Sequence, residues 1–363
     1  MKRLLSAGIA VAIALFSLGC QKQPQHYLKF QYQFYDTFDT LVQIVGYTKD
    51  EAEFERYAYA AKDSFVRLHQ LFDRFNSYEG INNIKTINDN AGVAPVKVDD
   101  TILDLLEFCQ QWYEKAHGQV DITLGAMLSI WQDAIATYRY DSTDARLPDR
   151  ADLEAAVALS GMDKLVVDRQ AGTAYLTEPG MILDVGAVAK GYATELVAQE
   201  LEAMGWHSFS LSGGGNVRVS DEPLSEIISA WGIGIQDPFG NVLSSSADDL
   251  LDVLFVNNLS VVTSGDYQRF YMVGERRVHH IIDKDTLMPA DYYRSVTIVT
   301  PDSGVADLLS TAVFAMEYEE GRRLVEQLGV GALWVFPDGR VEFTEDLLPL
   351  LYRRGGATSA RQK

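Results

Sequence analysis

The chain has 363 residues, 47% of them hydrophobic, and a formal net charge of −20. That length fits one large α/β domain or two medium ones, and the apolar fraction supports a sizeable core. The acidic balance argues against a nucleic-acid binder, because a phosphate backbone needs a basic footprint.

Lys2 and Arg3 precede an apolar run from Leu4 to Leu18, shorter than the ~20 residues a membrane span needs, and Gly19-Cys20 closes it. This is the pattern of a secretory signal peptide, not of a transmembrane helix. A small residue before a cysteine at this point resembles the lipobox of bacterial lipoproteins. The resemblance implies a signal peptide over residues 1–19, a lipid on Cys20, and a tether over 20–34. The chain would then be an exported lipoprotein, held to the inner or outer membrane and facing the periplasm. The alternative is ordinary cleavage with an unlipidated Cys20. If Cys20 carries lipid, Cys109 has no disulfide partner. Cys109 shares a helical stripe with Ile102, Leu105, Leu106 and Tyr113, which suits a small core residue better than a nucleophile.

The tether region to Gln33 is polar. Leu41–Val45 reads as a strand. Residues 51–75 are amphipathic, with Phe54, Tyr57, Ala58, Ala61, Phe65, Leu68, Leu71 and Phe72 at helical spacing. A second helix runs from Val98 to Ala116 and ends at Gly118. Residues 119–131 mix a short extended piece with a helix that starts after Gly125. The turn-rich stretch 141–148 reads as a surface insertion. Residues 165–167 and 173–176 form a hairpin. A helix covers Ala187 to Met204. Strands follow near 209–211, 216–219, 233–235, 253–255 and 260–263, then a hairpin of 269–273 with 278–282 around Gly274-Glu275. Val296–Val299 is β-branched and extended. After Asp302 or Ser303 as N-cap, Val305, Leu308, Leu309, Ala312, Val313 and Met316 mark a helix. A helix at 321–328 and a hairpin of 332–336 with 341–343 complete the fold. The expected class is mixed α/β with largely antiparallel sheets and packed helices. One catalytic unit spans 35–352, and residues 353–363 form a flexible tail.

Four constellations carry chemistry. Asp307, Ser310 and Thr311 are three and four residues apart, so their side chains are neighbours. They lie off the apolar stripe, on the face expected to be outside the core, as either a solvated face or hard oxygen ligands for Mg²⁺ or Ca²⁺. In Leu183–Ala193 a strand delivers Asp184, Gly186 permits a tight turn and a helix starts near Ala187, offering free amides to an anion. Asp184 is there a ligand contact or a turn residue, and Lys190 pairs with phosphate or with Asp184. Gly213-Gly-Gly215 before Asn216 is an anion-binding nest or a glycine bulge. His279 and His280 point to opposite faces of a strand, so one of them suits a general base and a joint zinc site is rejected. The base and a satisfied structural histidine both stand as readings.

Taken in order, these segments resemble the ApbE family of FAD:protein FMN transferases. The likeness rests on Phe75–Tyr78, Asp121–Thr123 with Gly125 and Trp131, Asp184–Ala193, Gly213–Asn216, Thr263–Gly265 with Tyr267, His280–Asp283 and Asp307–Ala312. It implies an ApbE-type, T-fold-like unit. It implies Mg²⁺-dependent transfer of FMN from FAD to a Ser or Thr hydroxyl of an extracytoplasmic target protein, with AMP released. It implies metal-site positions at Ala187 (through its carbonyl), Asp307, Ser310 and Thr311. Flavin-binding positions would be Phe38, Tyr78, Ala126, Met127, Leu128, Asp184, Lys190 and Ile282. His280 would be the base toward the acceptor hydroxyl and Asp307 would hold the metal. Lys284 and Leu287 stand where the family usually has Pro and Gly. A metal-dependent FAD pyrophosphatase and a non-catalytic flavin-binding lipoprotein are the alternatives.

Overall fold

The structure, a computed structural model, describes residues 26–240 and 249–357. The signal-peptide reading, Cys20 and the last six residues fall outside them. The first strand, β1 (Leu28–Thr37), occupies the stretch expected to be tether. Phe30, Tyr32 and Phe34 alternate there with Lys29, Gln31 and Gln33, so one face is aromatic. Phe30 stacks on Phe54 with centroids 5.4 Å apart, and Phe34 meets Phe65 edge-on at 6.0 Å. The folded unit thus begins at Leu28 rather than at residue 35; the glutamines masked a two-residue alternation. At the other end, the Arg353 amide donates to Asp252 at 2.8 Å and the Ala357 amide to the Leu351 carbonyl at 2.9 Å. The expected tail from 353 is therefore bonded to the body as far as Ala357.

In chain order, β2 (Thr40–Thr48) is followed by α1 (Glu51–Phe72), α2 (Ile84–Asp89), β3 (Val96–Lys97), α3 (Asp100–Lys115), α4 (Gly125–Tyr138) and α5 (Arg150–Val157). Then come β4 (Leu165–Asp168), β5 (Thr173–Leu176), α6 (Ala189–Ala203), β6 (Phe209–Gly213), β7 (Asn216–Ser220), β8 (Trp231–Gln236) and β9 (Leu250–Val256). The last part holds β10 (Ser260–Gly265), β11 (Phe270–Val273), β12 (Arg276–His279), β13 (Ile282–Asp283), β14 (Met288–Pro289) and β15 (Ser295–Thr300). It closes with α7 (Ser303–Phe314), α8 (Tyr318–Leu328), β16 (Gly331–Val335) and β17 (Val341–Phe343).

Eight strands form the main sheet in the order β1-β2-β6-β7-β10-β15-β16-β17, every pair antiparallel. The mixed α/β, largely antiparallel class expected from the sequence is the one observed. One face of the sheet packs on α1, α6 and α7, where the predicted α1 stripe from Phe54 to Phe72 is buried. The β8–β9 hairpin and the C-terminal segment cover a second core at Val261, Val299 and Leu333. A third cluster joins Met127, Trp131 and Ile135 of α4 to Tyr271 and Val278 of the β11–β12 hairpin. Cys109 is buried in the main core, and burial pushes its thiol well above the usual range, in keeping with a core residue.

Candidate active site

The helix carrying Asp307 is buried on nearly all sides. Asp302 caps it, accepting from the Val305 amide at 3.0 Å, which decides between the two N-cap candidates. Asp307 and Ser310 are 5% and 0% exposed. The expected non-core face is therefore an inner face, because α6 lies against it. Gly191 makes this approach possible: a Cβ there would stand 2.3 Å from the Asp307 Cβ and 2.3 Å from the Ser303 carbonyl oxygen.

The crossing supplies one hydrogen bond. The Gly191 amide donates to Asp307 Oδ2 at 2.8 Å. Gly191 is the third residue of α6, whose first amides have no acceptor within the helix, so the carboxylate satisfies one of them. Ala187 precedes the helix. Its carbonyl has no hydrogen-bond partner among the described residues. Asn216 Nδ2 also donates to Oδ2, at 3.0 Å, and Lys190 Nζ stands 4.0 Å away. Asp307 Oδ1 accepts no hydrogen bond from any described residue and is not among the buried atoms lacking a partner. Burial raises the Asp307 carboxyl pKa, opposed by the Lys190 ammonium and by the Gly191 and Asn216 donors.

Two hydroxyls complete the cluster. Ser310 Oγ donates to the Asp307 carbonyl at 2.9 Å and meets Ser264 Oγ of β10 at 2.8 Å. Thr311 Oγ1 is held more loosely, 3.4 Å from the same carbonyl and 3.5 Å from Ser264 Oγ. Among the described residues no three His, Cys, Asp or Glu side chains converge as a metal site would need. The available donors are one carboxylate oxygen, one carbonyl and a loosely bound hydroxyl, all hard oxygens. Such a set fits Mg²⁺, which completes its shell with water and substrate phosphate.

The glycine stretch is a hairpin turn. Gly213 pairs with Asn216, and Gly214 and Gly215 have φ of 66° and 94°. Only glycine adopts that pair without strain. The turn delivers Asn216 to Asp307.

Asp184 is buried at a junction. Its Oδ1 accepts from the Gly186 amide at 2.8 Å, as a turn residue does. Its Oδ2 accepts from Gln132 Nε2 at 2.9 Å and pairs with Arg74 Nε at 3.3 Å. Arg74 also reaches Ser129 of α4 at 3.2 Å and stacks over Phe75. Phe38 and Tyr78 come together around His69. The Phe38 amide donates to His69 Nδ1 at 3.3 Å, and Tyr78 OH lies 3.4 Å from His69 Nε2 and 2.7 Å from Asp73 Oδ2. Burial, then the bond to Asp73, pushes the Tyr78 pKa up to about 12.

Ala126, Met127 and Leu128 form the first turn of α4, which begins where the Gly125 amide meets the Ile182 carbonyl at 3.0 Å. Met127 points into the core, while Ala126 and Leu128 are half-exposed. Leu128 and Ile282 pack against the same apolar cluster. Leu287 keeps a left-handed backbone, with φ 60°, where the family usually has Gly, and its carbonyl accepts from Trp131 Nε1 at 3.2 Å.

The two histidines separate as their alternation implied. His279 is buried; its Nδ1 accepts from the Ile281 amide at 3.2 Å and its Nε2 donates to the Ala290 carbonyl at 2.8 Å. Burial lowers its pKa to about 4. It is the satisfied structural residue. His280 keeps an exposed edge, and its Nδ1 lies 3.4 Å from the Arg269 carbonyl. That bond places the proton on Nδ1 and leaves the Nε2 lone pair open. Crowding by protein on its other sides, then the His279 and Arg269 charges and Lys190 beyond, hold the imidazole below its ordinary pKa.

The structure thus gathers Lys190, Asp307, Ser310 and Thr311 in one place, one turn from Ala187 at the start of α6, and Phe38 with Tyr78 in another. Asp73, Arg74 and Asp184 link the two through adjacent bonds. Sequence reasoning did not assign Asn216, Ser264, Gly191, His69 or Arg74. Asn216 and Ser264 lie in the motif segments, but linear order does not show that both end on α7.

The family described as ApbE matches residues 38–334. A FAD:protein FMN transferase of Treponema pallidum is 34% identical over 317 residues, covering 83% of each chain. The crystal structure of an ApbE protein from Thermotoga maritima is 29% identical and covers 88% of this chain and 98% of its own, with a TM-score of 0.74. The flavin transferase ApbE of Vibrio cholerae, 20% identical, shares the fold with a TM-score of 0.73 over 90% of this chain and 100% of its own.

Proposed function

This chain belongs to the ApbE family and is a transferase, and from that premise we propose that it moves FMN from FAD to a Ser or Thr hydroxyl of a target protein, with Mg²⁺ bound and AMP released. The observation that carries the reading is the buried Asp307 carboxylate, fixed through Oδ2 by Gly191 and Asn216 while its Oδ1 and the Ala187 carbonyl accept no hydrogen bond from a described residue. With the Thr311 hydroxyl they would hold Mg²⁺, whereas the Ser310 hydroxyl is bonded at both ends. A bound Mg²⁺ supplies charge neutralisation on the pyrophosphate.

The chain's own groups account for the remaining steps. Lys190, half-buried beside Asp307, faces the phosphates as a cation. Phe38, Tyr78 and Leu128 border the flavin. His280 Nε2 takes the proton of the acceptor hydroxyl as its oxygen attacks the flavin-side phosphorus. The bond from that phosphorus to the bridging oxygen breaks, and AMP carries the oxygen away. Proton transfer by a positioned base contributes about 10²–10⁴-fold in rate. The open edge of His280 suits a protein acceptor, since a closed site would admit water alone.

From the N-terminal pattern ending in Gly19-Cys20 we further propose that the chain is an exported lipoprotein, held through Cys20 and facing the periplasm. Among the described residues no helix is long and apolar enough to cross a membrane. The test is incubation with FAD and Mg²⁺, with and without a target protein. The proposal expects AMP release that depends on the target. Free FMN formed at the same rate without target identifies a pyrophosphatase instead.

A further inference from the structure

The residue at which the anchoring segment joins the body lies at the end of the sheet far from Asp307. Antiparallel β2 spans both ends. Its first residue, Thr40, touches the glycine hairpin: a Cβ on Gly214 would be 2.2 Å from Thr40 Oγ1. Its last residues, Tyr47 and Thr48, border a cleft of about 680 Å³ shared with Tyr27, Trp206 and Leu224. Nine residues of strand put roughly 25–30 Å between these ends, at ~3.3 Å per residue.

Apolar side chains are exposed around the cleft. Ile227 is 69% exposed, and Leu28 and Leu224 are 44% and 41% exposed. His26 Nδ1 lies 4.0 Å from Glu226 Oε1, so the start of the described chain touches the loop that carries Leu224 and Ile227. Only residues 21–25 separate Cys20 from His26. At no more than ~3.6 Å per residue, a lipid on Cys20 keeps His26 within about 20 Å of the lipid surface. Lys29, Lys49 and Arg56 are outnumbered here by Asp50, Glu53, Asp221, Glu222 and Glu226, so no basic patch forms and the contact is apolar rather than polybasic. Tyr27, partly exposed beside Leu28 and Leu224, is a residue type enriched at the bilayer interface.

We infer that the edge carrying Tyr27, Leu224 and Ile227 docks on the surface of a lipid bilayer, so that the flavin site opens on the side away from the membrane. The inference rests on the lipid-anchor reading of Cys20. It restricts acceptor hydroxyls to segments that stand clear of the bilayer by about the length of β2, roughly 25–30 Å.

The test uses the full lipid-bearing chain in phosphatidylcholine vesicles, with a nitroxide attached through Ile227→Cys or, separately, through Asp39→Cys at the opposite end. Cys109 is buried and does not compete for the label. The expected result is that the label at 227 meets oxygen more readily than a water-soluble nickel complex, that the label at 39 does the reverse, and that added salt changes neither. Leu224→Glu should return the label at 227 toward water. Equal exposure of both labels to the nickel complex, on protein that still floats with the vesicles, overturns the docking and leaves the anchor intact. Failure to float, with no lipid on Cys20 by mass spectrometry, overturns both.

Discussion

Close packing serves opposite purposes at the two ends of β2. At the Thr48 end, Trp206 stacks on Tyr57 with centroids 5.0 Å apart and 10° between planes. Its Nε1 donates to the Tyr47 carbonyl at 3.0 Å, and a Cβ on Gly46 would come 2.2 Å from the ring. There a glycine makes room for an aromatic ring whose single polar group is satisfied. At the Thr40 end, Gly191 makes room for a carboxylate that takes its amide through one oxygen and keeps the other open. Glycine removes the steric barrier in both places. What differs is whether the group admitted is fully bonded or keeps an oxygen open.

That contrast predicts activity loss without unfolding at one end and unfolding without activity loss at the other. Asp307→Asn keeps an oxygen for Gly191 and Asn216 but removes the charge. Transfer should fall at least about a thousandfold, while the melting temperature stays within a few degrees of the parent. A collapse of the melting transition would give Asp307 a structural role. Asp307→Ala is the less clean variant, because it strands two buried donors at about 1–3 kcal/mol.

His280→Ala should lower transfer by about 10²–10⁴-fold with unchanged stability, since the residue is exposed; full activity would remove it from the base role. Trp206→Ala is the mirror experiment. Urea denaturation should show a loss of about 3–5 kcal/mol, with kcat per folded molecule unaltered. A large kcat effect would show that the two ends are coupled.

His279 yields a smaller, pH-dependent effect. Its folded pKa is depressed to about 4, below the unfolded value near ~6.5. The unfolded chain therefore binds more protons between those values. The stability His279 provides is complete above pH ~6.5 and is lost as pH falls toward ~4, by up to about 1.4 kcal/mol per unit. His279→Gln should flatten that part of the stability–pH curve. Ser264→Ala should have the mildest outcome, a few-fold rise in the Mg²⁺ concentration needed for half-maximal transfer, because Thr311 loses a 3.5 Å neighbour and Ser310, though it loses Ser264, keeps its bond to the Asp307 carbonyl.

Much of this arrangement is legible in the sequence, wherever periodicity and turn chemistry act locally. The α1 stripe and the β11–β12 and β16–β17 hairpins follow from spacing and turn residues, and the cap of α7 is narrowed by sequence to Asp302 or Ser303. The strand β1 was hidden because its outward positions are glutamines in a polar stretch. The burial of Asp307 and Ser310 was not legible either. Helical spacing shows that they share a face but not that a second helix covers it. That cover depends on Gly191, more than a hundred residues away, and on the missing Cβ that lets α6 approach. The split between His279 and His280 was legible as alternation, but their order became clear only with the Ala290 and Arg269 carbonyls in place.

The central claim is that the open oxygens beside Asp307 serve transfer to a protein. The most direct measurement is mass spectrometry of candidate exported acceptor proteins after incubation with this chain, FAD and Mg²⁺. The account predicts one FMN-phosphoester mass gain on a Ser or Thr for each AMP released, abolished by EDTA and by Asp307→Asn. AMP released with an equal amount of free FMN, and no adduct on any acceptor, would contradict it.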